Sequence, residues 1–288
     1  MATDTENSSN LLYHNGEFVP ANSPVLSVKD QAIVLGQGIF ETLVAYSGKP
    51  FLPEPHYIRL KAGADAMGLD IPEEESLLEA MLETLERNKL ETTERVRIRI
   101  TVTGGISDMR FSNTKGAENL MIEVGVAPVI SHHAKTITLP FARNEKGALS
   151  GLKTINYGEN VVAVRKARAA GADEGIYGNT VGNLCEGTWS NVFVCKEGQW
   201  ITPPLSSGCL PGVSRAHLLD VARTAGISIE EVDIPLSDLA NVDSAFLTST
   251  LREAQPISHI DGRELPEVTP DSLKKIATAF RESVESLR

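Results

Sequence analysis

Apolar and polar residues alternate strictly over positions 95–103, the clearest pattern in the first half of the chain. One side of this segment carries valine and isoleucine and the other carries arginine and threonine, so it predicts a half-buried β-strand. Further strands are predicted at residues 40–46 and 120–126. The Asn15-Gly16 pair between two short apolar runs predicts a hairpin.

Two helices are predicted between these strands. The first spans residues 55–67 and is followed by Gly68, a residue typical of helix C-termini. The second opens at Pro72, where three glutamates in the first turn suit the helix dipole and leucine and methionine recur on one face.

The second half of the chain mixes both kinds of element without a regular strand–helix–strand period. Strands are predicted at residues 136–139, 175–177, 189–194, 228–232 and 244–248. Helices are predicted at residues 161–170, 213–225 and 273–287. This mixture is typical of an α+β (mixed α/β) fold.

The length of 288 residues suits two modest domains. Residues 1–10 are polar and predict a disordered tail without the features of a signal peptide. We expect a small N-terminal α/β domain over residues 11–128, a connector at 129–135 and a larger C-terminal α/β domain over residues 136–288.

Charge and cysteine usage narrow the class of protein. A net charge of −11 argues against nucleic-acid binding, and no apolar run approaches the roughly 20 residues that span a bilayer, so no membrane partner is expected. The three cysteines, Cys185, Cys195 and Cys209, are odd in number and lack C-x-x-C spacing. They indicate neither a disulfide framework nor a metal site, and a reducing cytoplasm is the expected location.

Lys153 is the first residue that could do chemistry. It lies among apolar and uncharged residues just after Ser150-Gly151, and a lysine in such surroundings can act as an amine nucleophile. A solvated lysine is the alternative, and this segment taken alone favours it. Glu186 ends a glycine-rich turn before an apolar strand, where its carboxylate could face a basic ring nitrogen or simply point into water.

Three further segments could bind a phosphate group. Pro211 and Gly212 open a predicted helix whose first N–H groups can bind an anion, and Ser214 adds a hydroxyl. Hydroxyl residues follow the strand at 244–248, and Arg59 could hold a phosphate through two hydrogen bonds. An ordinary helix cap, local turns and a surface arginine are the alternatives.

Five sequence strings stand out when the chain is taken as a whole. They are G-x-G-hydrophobic-F-E-T at residues 36–42, H-x-x-R-L at 56–60, L-K-x-x-N-Y at 152–157, E-G-T-x-S-N-x-F at 186–193 and L-P-G-x-S-R at 210–215. Together they resemble fold-type IV pyridoxal-phosphate (PLP) enzymes, a family of branched-chain, D-amino-acid and R-selective amine transaminases and aminodeoxychorismate lyases. Their shared order is specific for the family and says little about the substrate.

The resemblance implies a cofactor and roles for individual residues. Lys153 would form the Schiff base with pyridoxal 5'-phosphate and shuttle the substrate proton, and Glu186 would face the pyridine nitrogen. Tyr157 would bond the ring hydroxyl, and Leu210 would pack on the ring. The residues implied for the phosphate are Arg59, Val213, Ser214, Ser249 and Thr250.

Substrate residues are less defined by the resemblance. Phe40, Arg99 and Arg110 are the expected substrate contacts, the arginines because a substrate carboxylate needs a cation; Arg97 shares the strand face of Arg99. The D-amino-acid enzymes carry R-x-H where this chain has Arg110 followed by phenylalanine and serine. Branched-chain enzymes often carry a tyrosine where this chain has Leu35.

The resemblance therefore implies an aminotransferase with its active site between two domains and completed by a neighbouring subunit of a homodimer or higher oligomer. It would move an amino group from an amino acid or amine to an α-keto acid, with D-amino acids or R-amines favoured as donors. The alternatives are an aminodeoxychorismate lyase, a branched-chain L-amino-acid aminotransferase, and a PLP-fold binding protein without turnover.

Overall fold

A computed structural model of the chain describes residues 10–107, 116–266 and 271–286. These residues form two compact units. The first takes in the described residues up to Pro128 and, in addition, Leu152–Asn156. The second takes in Val129–Gly151 and the described residues from Tyr157 to Ser286. The hydrophobic pattern did not predict that the short segment around Lys153 belongs to the first unit.

The first unit is built on an antiparallel sheet with the strand order β2-β1-β6-β5-β3-β4. Its strands are β1 (Leu11–His14), β2 (Glu17–Pro20), β3 (Gly38–Tyr46), β4 (Lys49–Pro50), β5 (Arg95–Thr103) and β6 (Asn119–Val126). Its helices are α1 (Gln31–Leu35), α2 (Pro53–Met67) and α3 (Glu74–Arg87).

Alternation along β5 decides which face of this sheet is covered. Its valines and isoleucines are buried with those of β3 and β6 beneath leucines and alanines of α2 and α3. The arginines of β5 lie on the other face, as the sequence predicted. The predicted hairpin is confirmed, since Asn15 and Gly16 connect β1 and β2 with positive φ angles of 49° and 92°.

The second unit contains a larger mixed sheet with the order β12-β11-β10-β13-β14-β7-β8-β9, to which β15 adds beside β14. Its strands are β7 (Ala134–Thr138), β8 (Glu174–Gly178), β9 (Leu184–Gly187), β10 (Asn191–Lys196), β11 (Gln199–Thr202), β12 (Ile229–Glu231), β13 (Ser244–Thr248), β14 (Gln255–Ile260) and β15 (Arg263–Glu264). Its α-helices are α4 (Gly158–Ala169), α5 (Val213–Thr224) and α6 (Asp271–Glu285).

Strands β8, β10 and β13 are buried on both faces, so the middle of each sequence lacks the alternation of a half-buried strand, and polar residues stand at the strand ends. One apolar cluster packs β10 and β13 against α5 and α6, and another fills the opposite side around β14 and β7. The predicted α+β class is confirmed by this mixture. Among the described residues, no helix combines the length and apolar character that crossing a bilayer requires.

Candidate active site

The segment Leu152–Asn156 lies antiparallel to the start of β3. The N–H of Phe40 donates to the carbonyl oxygen of Lys153 at 3.0 Å, and the N–H of Ile155 donates to the carbonyl oxygen of Gly38 at 3.0 Å. Lys153 is therefore fixed by main-chain hydrogen bonds on a strand edge rather than at the tip of a loop.

Glycines in β3 and just before it allow this close approach. A Cβ atom at Gly38 would lie 2.8 Å from Cδ1 of Ile155, and one at Gly36 would overlap the side-chain oxygen of Asn156. Gly36 also ends α1 with a positive φ of 72°, and its carbonyl accepts a hydrogen bond from Asn156 at 2.8 Å. The two glycines of the G-x-G string are therefore needed because a larger residue at either position would collide with the segment that carries Lys153.

Two cations lie over the ring of Phe40. The Lys153 ammonium is 4.4 Å from the ring centroid, and the guanidinium carbon of Arg99 is 4.0 Å from it. Arg97 on the same strand instead pairs with Glu123 at 3.0 Å on the surface. Of these two arginines, Arg99 is the one that contacts the same ring as the Lys153 amine.

Arg59 is held by a buried carboxylate that sequence reasoning did not single out. Its Nε and Nη2 donate to the two oxygens of Glu41 at 2.7 and 2.8 Å, and Nδ1 of His56 lies 2.7 Å from the same carboxylate. Burial raises the pKa of Glu41, but the charges and hydrogen bonds of Arg59 and His56 outweigh it and hold that pKa well below its ordinary value. This carboxylate therefore stays ionised and fixes the direction of the guanidinium.

Glu186 lies within β9, whereas the sequence suggested that it ends a turn. The turn follows it, because the N–H of Gly187 donates to the carbonyl oxygen of Ser190 at 2.7 Å. The carboxylate is largely buried and accepts from the N–H of Leu210 at 2.9 Å and from Nε of Arg143 at 3.2 Å. Strand β9 thus places an anchored carboxylate next to Leu210, another predicted site residue.

Arg143 is a functional candidate that the sequence reasoning missed. Besides Glu186, its guanidinium donates to Glu159 at 3.1 Å and to Asn160 at 3.3 Å, and it lies 4.2 Å from the ring centroid of Tyr177. Burial lowers the pKa of Arg143, but Glu186 and the other acids around it raise it further, so it remains charged. Its partners lie 16 or more positions away, and no local pattern marks the residue.

Helix α5 begins at Val213 with Gly212 at its N-cap, and no side chain caps its first turn. A Cβ atom at Gly212 would overlap the side-chain oxygen of Asn191, whose amide donates to the carbonyl oxygen of Leu210 at 2.9 Å. Asn191 therefore shapes the segment that leads into the helix. The first-turn N–H groups at Val213 and Ser214 have the polarity that binds anions.

Ser249 and Thr250 follow β13 in a tight turn. The N–H groups of Arg252 and Glu253 both donate to the carbonyl oxygen of Ser249, at 3.0 and 2.9 Å, and Glu253 has a positive φ of 57°. Both hydroxyl residues are partly exposed, so they can reach a ligand.

Tyr157 ends the Lys153 string and is the N-cap residue of α4. Its ring lies 5.5 Å from that of Trp189 at an angle of 32°. Arg110, the third predicted substrate residue, lies outside the described residues.

Comparison with known proteins decides the family. The model for class IV amino-transferases matches residues 38–260, which is most of the chain and covers the strings from β3 to β14. The chain belongs to the class IV aminotransferase family. Members of this family use PLP.

Individual class IV aminotransferases align over nearly the whole chain. A Methanocaldococcus jannaschii protein, provisionally named as a branched-chain-amino-acid aminotransferase, is 32% identical over 94% of this chain and 95% of its own. A D-alanine aminotransferase of Bacillus licheniformis is 27% identical over 94% and 96%. A structure described as a hypothetical aminotransferase of Mycobacterium tuberculosis in its PLP-bound form is 26% identical, with a TM-score of 0.86 over 96% of this chain and 100% of that one.

The donor set of this class IV aminotransferase fits PLP. A fixed primary amine at Lys153 suits an aldehyde, and the anchored carboxylate of Glu186 suits a protonated ring nitrogen. The uncapped start of α5, hydroxyls and an arginine supply the N–H and O–H donors that hold a phosphate dianion without a metal.

Proposed function

We propose that this chain is a PLP-dependent aminotransferase in which Lys153 is the catalytic amine. The observation that carries the proposal is the placement of Lys153, fixed by its carbonyl to β3 with its amine over Phe40 and Arg99 over the same ring. A lysine that served only solubility would not need a strand edge and two glycines to fit there.

When bound, PLP supplies an aldehyde carbon and a protonated pyridine ring that withdraws electrons from the substrate. Nζ of Lys153 would hold the cofactor through its aldehyde group in the resting enzyme. With a donor bound, the same atom would accept the proton from the substrate Cα and donate it to the cofactor carbon that carried the aldehyde, so it would act first as general base and then as general acid.

The remaining residues bind and orient. The carboxylate of Glu186 stabilises the proton on the ring nitrogen, Tyr157 donates to the ring hydroxyl, and Leu210 packs on the ring. The phosphate is bound by a set of donors that differ in kind. They are Arg59, the N–H groups of Val213 and Ser214, and the hydroxyls of Ser249 and Thr250.

Arg99 is our candidate for binding the substrate carboxylate, with Phe40 as an apolar contact and Arg110 as a further cation. The contact of Arg99 with the Phe40 ring, which the Lys153 amine also contacts, supports this role, because a substrate carboxylate needs a cation in the region of the reacting amine.

D-amino acids or R-amines are the donors we place first, with an α-keto acid as acceptor, and the D-alanine aminotransferase relative supports this choice. Branched-chain L-amino acids are the second candidate, because the relative with 32% identity carries that name. Aminodeoxychorismate lyase activity is the third candidate, and the test below also detects it.

The test is a half-reaction with purified protein reconstituted with PLP. Donors from a panel of D- and L-amino acids and R- and S-amines should convert the visible cofactor band to the pyridoxamine form, and pyruvate release from aminodeoxychorismate would reveal the lyase. Borohydride reduction and peptide mapping should place the phosphopyridoxyl group on Lys153. Labelling of another lysine, or no band change with any donor, would contradict the proposal.

We also propose a homodimer or higher oligomer and a cytoplasmic location. The family resemblance supports the former, and the buried free thiols of Cys185, Cys195 and Cys209 suit a reducing compartment. Light scattering of the purified protein measures the first, and a single-subunit mass would contradict it.

A further inference from the structure

A buried carboxylate in the second unit contacts two turns, of which one directly follows a proposed cofactor ligand and the other contains two of them. Glu174, in β8, has no exposed surface. Its Oε1 accepts from the N–H of Trp189 at 2.8 Å and from the hydroxyl of Ser190 at 2.7 Å. Its Oε2 forms an ion pair with Nη2 of Arg252 at 2.5 Å. One side chain therefore joins residues that are more than 60 positions apart in the sequence.

The first turn directly follows Glu186. It is closed between Gly187 and Ser190, and a Cβ atom at Gly187 would overlap both Oε1 of Glu174 and the Ser190 hydroxyl. Because the turn packs this closely on Glu174, a displacement of that carboxylate also displaces Glu186.

The second turn carries Ser249 and Thr250. Its shape depends on the N–H of Arg252, which donates to the carbonyl oxygen of Ser249, while the side chain of Arg252 reaches back to Glu174. The same guanidinium donates to Gln255, a buried residue whose amide donates to the carbonyl oxygen of Ser131 at 2.7 Å. Arg252 is thus fixed at both its main chain and its side chain.

Stability alone does not account for this arrangement. A buried ion pair gains little net free energy, because desolvation offsets the attraction, and an apolar pair of similar volume is often as stable. The two hydrogen bonds that Glu174 accepts from the first turn, together with its ion pair to Arg252, fix the distance between the groups they join, which an apolar pair does not do.

We infer that Glu174 and Arg252 are a positioning pair, which sets the distance between Glu186 and the Ser249–Thr250 turn so that one PLP molecule is bound at its ring nitrogen and its phosphate together. The inference rests on the proposed function of those residues. Neither member of the pair needs to touch the cofactor.

The test compares three ligands of the apoprotein by equilibrium dialysis: PLP, pyridoxal without its phosphate, and inorganic phosphate. Arg252→Met should weaken PLP binding on the order of tenfold or more, the range for lost hydrogen bonds to charged groups. Pyridoxal and phosphate each occupy only one end of the PLP site, so their affinities should fall clearly less. Arg252→Lys should recover part of the PLP affinity. The control Lys196→Met, which removes the pair with Asp238 in the same unit, should change none of the three.

A double variant, Glu174→Gln with Arg252→Met, separates positioning from folding. Removing both charges should restore thermal stability of the apoprotein relative to Arg252→Met, while PLP affinity stays low. If PLP affinity returns together with stability, or if all three ligands lose equally, the pair is structural and the inference is wrong while the proposed function stands. If the wild-type protein binds no PLP, the proposed function fails and this inference fails with it.

Discussion

Phe40 contacts Lys153 through both its main chain and its ring. Its N–H donates to the Lys153 carbonyl at 3.0 Å, and the Lys153 ammonium lies 4.4 Å from the ring centroid. The main-chain hydrogen bond fixes the position of the Lys153 backbone, and the aromatic face of Phe40 favours one direction for the lysine side chain. Arg99 lies 4.0 Å from the same ring, so Phe40 also sets the spacing between the proposed amine and the proposed carboxylate clamp.

Replacing Phe40 by alanine should therefore impair turnover more than folding. Loss of the ring removes cation–π contacts of about 0.5–2 kcal/mol each, so we expect kcat to fall about tenfold while PLP remains covalently bound. Phe40→Tyr keeps the aromatic face and should retain most of the activity. Steady-state kinetics on the best donor measure both variants, and equal kcat values for Phe40→Ala and the wild type would refute the role.

Lys153→Ala should abolish covalent attachment of the cofactor and reduce transamination by a factor of about 10³ or more, because it removes both nucleophile and proton carrier. Absorbance of the reconstituted protein and single-turnover mixing with a donor are the measurements. Lys166→Ala, which removes an exposed lysine of α4, is the matched control and should behave as the wild type. Retained turnover in Lys153→Ala would show that another amine is used.

Local pattern was sufficient for much of the fold. Strand β5 was predicted with its observed bounds, and α2 ends at Gly68 as its sequence indicated. Strands β9, β11 and β14 were not predicted, because each is short and its sequence has no regular alternation of apolar and polar residues that would distinguish it from a loop. Their neighbours in the sheet, rather than their own residues, make them strands.

The residues of the candidate site that lie in the family-like sequence strings were predicted, and the residues that hold them in place were not. The strings identified Lys153 and Glu186. Other side chains hold the site residues in place, among them Glu41 and Arg143, and their partners lie 15 to 43 positions away in the sequence. Such partners depend on how strands are ordered in the sheets. The order of the strands in a sheet cannot be inferred from the pattern of residues in a single sequence.

Gly38→Ala should disturb the Lys153 segment and the adjoining end of β5. The added Cβ would lie 2.8 Å from the Ile155 side chain and 2.9 Å from the carbonyl oxygen of Val102, so the segment has to move. We expect a several-fold loss of kcat and slower cofactor attachment, with about 1–3 kcal/mol of destabilisation from overpacking. Gly125→Ala in β6 is the control, since nothing lies within 4 Å of its added Cβ. Equal behaviour of the two variants would contradict the close-approach argument.

Arg143→Met should leave the Glu186 carboxylate largely buried with its hydrogen bond from Leu210 but without its cation. We expect PLP affinity to fall about tenfold or more, the effect of losing a hydrogen bond to a charged group, and the cofactor absorbance to become more dependent on pH. Arg143→Lys keeps the charge and should recover part of the affinity. Spectrophotometric titration at several pH values measures both, and an unchanged spectrum in Arg143→Met would argue against coupling between Arg143 and Glu186.

Acid should destabilise the first unit in two steps, one from His56 and one from Glu41, which occur in different pH ranges. Burial lowers the pKa of His56 below its ordinary 6.5 although Glu41 raises it, so the unfolded chain binds a proton more readily than the folded one as the pH falls below 6.5. The pKa of Glu41 is also lowered, and its contribution is present above its ordinary 4.5 and lost only as the pH falls below that value. Between pH 6.5 and 4.5 the loss in the first unit therefore belongs to His56. In the second unit, burial also lowers the pKa of the partly buried His217 in α5, which adds to the loss measured on the whole chain.

In this window His56→Gln should flatten the dependence of unfolding free energy on pH by up to about 1.4 kcal/mol per pH unit, the value of one proton. Urea denaturation of the apoprotein at half-unit pH steps measures the slope. His217 is present in both proteins and cancels in the comparison, and His132→Gln, which changes an exposed histidine, should keep the wild-type slope. If His56→Gln also keeps it, the proton is not excluded from His56 in the folded state, and the imidazole would be a charged partner of Glu41 rather than a neutral one.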